Sequence, residues 1–212
     1  MFPEQVQFNA NKWLRATGDL ADVVLTSRIR LARNLQDVPF TRWALPDDLA
    51  SVTARFRRVA SGTAELAGMA VIDFPRLDAL EKEFLCERHL ISREFVEGKK
   101  ESLLTLNSDE TISIMVNEED HLRIQAIRSG VDLQAAWEEL NAIDDVLEKG
   151  MRFAFDERWG YLTACPTNIG TGMRCSVMLH LPGMVLTQRI DKVLSAAAQL
   201  NLAVRGFFGE GS

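Results

Sequence analysis

Apolar residues alternate with polar ones at Ile112, Ile114 and Val116, and the run ends in Val-Asn-Glu-Glu-Asp-His-Leu-Arg over residues 116–123. Period two marks a strand with one buried face, so the charged end is delivered to a sheet rim. Leu122, Ile124 and Ala126 resume the alternation beyond it. Residues 102–106, an Asn-Ser-Asp-Glu turn and residues 111–116 read as a hairpin feeding the acidic stretch. Further strands are predicted over the β-branched run 22–30, from Gly160 into Cys165, over 176–181 and over 202–205. The period changes to 3.6 at Leu133, Ala136, Trp137, Leu140, Ile143 and Leu147, which predicts a helix over 133–147. A second such pattern predicts a helix over 186–200, and Pro46, Asp47 and Asp48 open one over 46–60. Pro75 begins another amphipathic segment, with Leu77, Leu80 and Phe84 expected on its buried face. Strands grouped with helices between them give an α+β fold, a mainly antiparallel β-sheet flanked by helices. Residues 1–20 read as a polar N-terminal extension anchored by Trp13, and 21–212 as one domain.

Composition narrows the chemistry. Of 212 residues 47% are apolar, ample for a core, and the net charge of −6 argues against non-specific nucleic-acid binding. Three cysteines and three histidines lack metal-ligand spacing, and an odd cysteine number suits a reducing cytosol. No apolar run reaches about 18 residues, so no membrane span and a cytoplasmic location are expected. An acidic triplet alone is usually a solvated turn. Arg28 and Arg30 lie two apart and face one side of an extended segment. Such a pair either meets surface carboxylates or shares an anion, for which a phosphate chain is the obvious choice. After Cys165 comes a small-residue loop, Pro-Thr-Asn-Ile-Gly-Thr-Gly, whose glycines allow close backbone approach to a ligand. It lacks the Gly-Lys-Ser/Thr ending of a P-loop.

Taken together, Ser27-Arg-Ile-Arg30, the His89 segment, Asn117-Glu-Glu-Asp-His-Leu-Arg123, Cys165-Pro-Thr-Asn-Ile-Gly-Thr-Gly, Arg174 and Arg205-Gly-Phe-Phe-Gly-Glu210 resemble the guanidino kinases, the family of arginine and creatine kinases. The resemblance covers nearly all of the chain after about residue 20 and implies the catalytic-domain fold of that family. Arg88-His-Leu-Ile-Ser92 and the Phe-Phe pair look most like the bacterial branch that phosphorylates arginine side chains of other proteins. Family members continue well past the position of Glu210, so a C-terminal part is expected to be missing. On that expectation this length binds ATP weakly and phosphorylates poorly, and a free-arginine kinase or a nucleotide- or partner-binding fragment are the alternatives.

The chemistry explains these residue types. A guanidinium has a pKa of about 13, and its full deprotonation at pH 7 costs roughly 8 kcal/mol. A carboxylate must therefore accept its proton as the N–P bond forms. The resemblance implies that Glu119 is this base, that Glu210 is a second clamping carboxylate, and that Cys165 acts as a thiolate beside the substrate cation. For ATP it implies phosphate-binding arginines at Arg28, Arg30, Arg123, Arg174 and Arg205, and His89 beside the adenine. Thr26, Ser27 and Ile29 join that set in the first strand, as do Cys175, Ser176, Val177 and Met178. Gly206, Phe207, Phe208 and Gly209 join it before Glu210. Magnesium would ride on the phosphates and water, with no dedicated metal cluster. Implied partners are arginine-bearing protein substrates, an activator protein, a Clp-type protease system and a second copy of the chain.

Overall fold

The computed structural model describes residues 12–98 and 101–206. Trp13 stands in a short 3-10 turn and is 4% exposed, the anchor expected of its segment. Strand β1 (Val24–Arg33), ten residues long, follows. Helix α1 (Pro46–Gly62) starts on proline, with Asp48 accepting from the Leu45 backbone at 2.9 Å. A short strand β2 (Ala70–Asp73) leads to helix α2 (Ala79–Glu87), where Asp78 and Glu81 form a reciprocal capping box. Ser92 caps the one-turn helix α3 (Arg93–Val96). Strands β3 (Leu103–Leu106) and β4 (Ile112–Val116) form the predicted hairpin, closed by Asn107, whose Oδ1 accepts from the backbones of Thr111 and Ile112. Strand β5 (Leu122–Ser129) follows the acidic turn, and helix α4 (Leu133–Met151) buries the predicted stripe, ending where Arg152 turns left-handed at φ 44°.

The six main strands pair in the order β2-β3-β4-β5-β1-β8, with every pairing antiparallel; β8 is Met173–Leu179. On one face Ile29, Leu31, Ile112, Ile114, Val116, Leu122, Ile124 and Ala126 pack beneath Val52 and Phe56 of α1 and Leu140, Ile143 and Leu147 of α4. Among the described residues the other face is covered over its β2-β3-β4 end, and the His89 segment with Trp13 reaches onto β5. There Ile72, Leu104, Leu106 and Met115 meet Phe74, Leu77, Leu85, Cys86, Leu90 and Phe95. Across β5, β1 and β8 the same face carries arginine instead of an apolar layer. This half-covered sheet positions the site.

Several expectations are corrected. Leu80 is 80% exposed and Phe84 also faces outward; the capping box rotates α2 so that Leu85 and Cys86 enter the core, and Phe84 lies against the Arg88 guanidinium. The strand predicted from Gly160 into Cys165 is only a two-residue ribbon, β6 (Phe155–Asp156) with β7 (Gly160–Tyr161), before the chain loops away. Strand β8 begins at Met173, three residues earlier than the pattern suggested, because the Gly172 carbonyl accepts from the Ala32 N–H and opens the ladder to β1. The helix predicted over 186–200 is two, α5 (Pro182–Leu186) and α6 (Ile190–Gln199), broken where Gln188 takes φ 56°. Residues 202–204 join no strand.

Candidate active site

Register decides which side chains share the open face. Arg30 stands directly opposite Gln125 of β5 and Arg174 of β8, and Arg28 opposite Ile127 and Ser176. Arg123 stands opposite Ala32, one row nearer the acidic turn. Arg28, Arg30, Arg123, Arg174, Ser176, Thr26 and Met178 therefore lie on one face. Ser27, Ile29, Cys175 and Val177 alternate to the other. Ile29 is in the core, and the Ser27 hydroxyl accepts from the Asp132 backbone at 3.0 Å, so their side chains serve the fold.

The convergence of guanidinium groups is electrostatically costly. Burial and the nearby Arg123 hold Arg28 down to about 10. Burial, then Arg28, Arg123 and Arg174, hold Arg30 down to about 9, partly offset by Glu118. Both remain charged at neutral pH. The Arg30 Nε is buried without a hydrogen-bond partner. An unsatisfied buried donor among repelling cations fits a polyanion, which would satisfy the donor and neutralise the repulsion at once.

Burial also pushes Arg123 down, but Glu118 outweighs it and holds the group above its ordinary value. Glu118 accepts from Arg123 Nη1 through both oxygens, at 2.7 and 2.9 Å, and takes a further bond from the Ser92 hydroxyl. Glu118 thus aims one arginine of the face, a role that the identical glutamate beside it concealed in the sequence.

The acidic turn runs from Asn117, at φ 63°, to His121, whose carbonyl accepts from the Asn117 N–H at 2.9 Å. Asn117 Nδ2 donates to the Leu49 and Glu101 carbonyls. His121 is fully buried: its Nδ1 accepts from the Leu35 N–H and its Nε2–H donates to the Pro39 carbonyl, both at 3.0 Å, which fixes the tautomer. Glu119 alone of the three acids is exposed. Partial desolvation at the foot of its side chain, with Asp120 and Glu118 beside it, raises its pKa above the ordinary carboxylate value.

Asp120 joins this turn to the cysteine loop. One buried oxygen accepts from Asn34 Nδ2 at 2.5 Å and from the Ala164 N–H at 2.7 Å. Asn34 completes the clasp through its own Oδ1, which accepts from the His121 N–H at 2.9 Å. The half-buried Cys165 follows directly, its Sγ 3.0 Å from the Thr167 hydroxyl. Beyond it Gly172, at φ 61°, lies so near Ala32 that a Cβ would come within 2.6 Å of that carbonyl.

His89 ends the α2 connection at φ 56° and is nearly buried, its ring edge-on to Trp13 at 5.7 Å between centroids. Burial, then Arg28, push its pKa down, so it is neutral at pH 7 and borders the arginine face. Gln125 holds this segment by donating to the His89 carbonyl at 2.8 Å. A lone glutamine in an apolar strand was the available signal for it. Arg205, a single β-bridge position, and Gly206 lie on the exposed run after α6, outside the six-stranded sheet. Phe207, Phe208, Gly209 and Glu210 lie outside the described residues.

Known proteins share this fold and much of this sequence. Similar solved structures include a Schistosoma mansoni taurocyamine kinase (TM-score 0.79, 23% identity, 96% of this chain and 31% of that one). A lombricine kinase covers 100% of this chain and 63% of its own, with TM-score 0.77 and 21% identity. At these identities the likeness is one of fold. Curated relatives include the protein-arginine kinases of Halothermothrix orenii, 46% identical over 206 residues, and Brevibacillus brevis, 45% identical over 213 residues. They match 96% and 98% of this chain, which spans 58% and 60% of their lengths. The profile described as "ATP:guanido phosphotransferase, C-terminal catalytic domain" matches residues 51–212. With three quarters of its residues inside that profile, the chain belongs to the ATP:guanido phosphotransferase family.

Proposed function

We propose that the chain transfers the γ-phosphoryl group of ATP to a guanidinium nitrogen of an arginine side chain in another protein. The observation that carries this reading is the convergence of Arg28, Arg30, Arg123 and Arg174 on the open half of the sheet, beside the acidic turn and the cysteine loop. The arginines would hold the phosphates and stabilise the charge of the transferring group, the main work in phosphoryl transfer. His89, steadied by Trp13, would lie beside the adenine. Glu119 would take the guanidinium proton as the N–P bond forms and the bond to ADP breaks; its exposure and raised pKa suit a base open to substrate. Cys165, clasped to the acidic turn through Asp120, would hold the substrate cation. Roles for Arg205 and Glu210 are part of the same proposal.

Among the described residues no group of three or more His, Cys, Asp or Glu side chains could hold a metal ion. Magnesium would enter on the nucleotide, supplying charge neutralisation between the phosphates. Protein substrates are favoured over free arginine by the named relatives, protein-arginine kinases at 42–46% identity. An activator protein, a Clp-type protease and a second copy of the chain belong to the proposal as partners, and residues 21–212 as its catalytic unit. No described helix is long and apolar enough to cross a membrane; a cytoplasmic place is proposed with the rest. The test is transfer of labelled phosphate from ATP. A rate on an arginine-bearing protein well above that on equimolar free arginine is expected, and the reverse ratio would make this a kinase of free guanidines.

A further inference from the structure

Behind the cysteine loop, on the helix-covered side of the sheet, lies a cavity of about 300 Å³ between α4 and the β6-β7 ribbon. Its floor is an ion pair: Arg33 donates to Asp144 through Nε and Nη2 at 2.7–3.2 Å and stacks on the Tyr161 ring at 3.7 Å. That pair is internally satisfied. Around it stand two further aromatic side chains, Trp137 and Phe155, the latter 55% exposed and edge-on to Tyr161. Two further carboxylates form no ion pair among the described residues: exposed Asp145, which lines the groove and accepts from Asn141, and Glu148, just outside the lining, which accepts from the Tyr161 hydroxyl at 3.2 Å. Three carboxylates thus face one guanidinium, and exposed aromatic surface stands beside the excess negative charge.

Aromatic faces next to carboxylates are a setting for a cationic side chain, held by the ring quadrupole and by charge together. We infer that this groove is a docking site for a basic residue of the protein substrate, lysine or arginine, near the arginine that is phosphorylated. The inference rests on the protein-substrate reading above. Its position supports it. Gly170 and Thr171 line the groove, and Arg33 donates to the Thr171 carbonyl at 2.9 Å, so the back of the groove is the same loop whose front carries Cys165. The next residue after Arg33 is Asn34, which is bonded to Asp120 in the acidic turn. A peptide with its target arginine at Glu119 could lay a neighbouring basic side chain over this loop.

The test uses the full chain and two fluorescein-labelled nonapeptides, each with one central arginine, flanked in one by lysines and in the other by glutamates. Anisotropy titration without ATP should show the lysine peptide binding at least about fivefold tighter, the scale of one cation–π contact with a partial ion pair. Asp145→Lys and Phe155→Ser should each remove most of that preference. Glu65→Lys, the same charge change in the exposed turn after α1, should leave it intact. With ATP, the two groove variants should raise KM for the lysine peptide while kcat and the rate on free arginine stay unchanged. Equal binding of the two peptides, or loss of preference in the Glu65 variant alone, overturns the inference. Preserved peptide preference without phosphoryl transfer to any acceptor keeps the groove and removes the kinase reading instead.

Discussion

Three neighbouring acids in one turn meet three different environments. Glu118 is buried against Arg123, Asp120 is buried against Asn34 and Ala164, and Glu119 is exposed. The first aims Arg123, the second clasps the cysteine loop, and the third is left open for the proton acceptance we propose for it. Glu119→Gln keeps shape and hydrogen bonding but cannot take a proton, so kcat should fall by at least about 10²-fold with ATP affinity unchanged; steady-state rates alongside calorimetric titration check both. A raised carboxyl pKa means that the folded state favours the protonated form, so ionised Glu119 costs stability as pH rises through that pKa. The Gln variant should therefore melt no lower than the parent at pH 7. A base works deprotonated, so kcat/KM should decline as pH falls through the raised Glu119 pKa, and the residual activity of the Gln variant should lack that acid limb. Arg174→Lys keeps the charge but not the planar fork; most of the transfer rate should go with it, and undiminished turnover would show that charge alone matters there.

At the scale of elements, strands and helices with a clean period were legible in the sequence because each has one buried face. The hairpin β3-β4, strand β5 and helix α4 stand where Ile112, Ile114, Val116 and the stripe from Leu133 to Leu147 placed them. The helix read over 186–200 is helical over Ile190–Gln199 but not continuous, since Gln188 turns left-handed before α6. Leu80 misled because an amphipathic pattern gives a face but not its rotation, which the Asp78–Glu81 box sets. Of the residues grouped by the resemblance, strand alternation puts Arg28, Arg30, Arg123 and Arg174 on one face and sends Ser27, Ile29, Cys175 and Val177 to the other. Nor could spacing reveal the Asp120 clasp, whose partners lie 86 and 44 residues away. Asp120→Ala leaves the Ala164 N–H and the Asn34 amide without their buried acceptor, which should cost about 1–3 kcal/mol, read as a lower urea midpoint with unchanged slope.

As a whole the molecule carries a net charge of −6, yet gathers four arginines on one patch of sheet. The patch is unfavourable by itself, as the depressed values of Arg28 and Arg30 show, and becomes favourable when an anion binds. Such a site should be felt in stability. Saturating ATP at about 100 times its dissociation constant adds roughly 2.7 kcal/mol, enough to move a melting transition by several degrees. On the proposed function, this arginine face receives the phosphates of ATP. Calorimetric titration of ATP into the parent chain and into Arg30→Gln tests it. The parent should bind, the variant should bind at least about tenfold more weakly, the scale of one lost charge-assisted contact, and the variant without ATP should be no less stable. Equal affinity of the two proteins for ATP would contradict the claim.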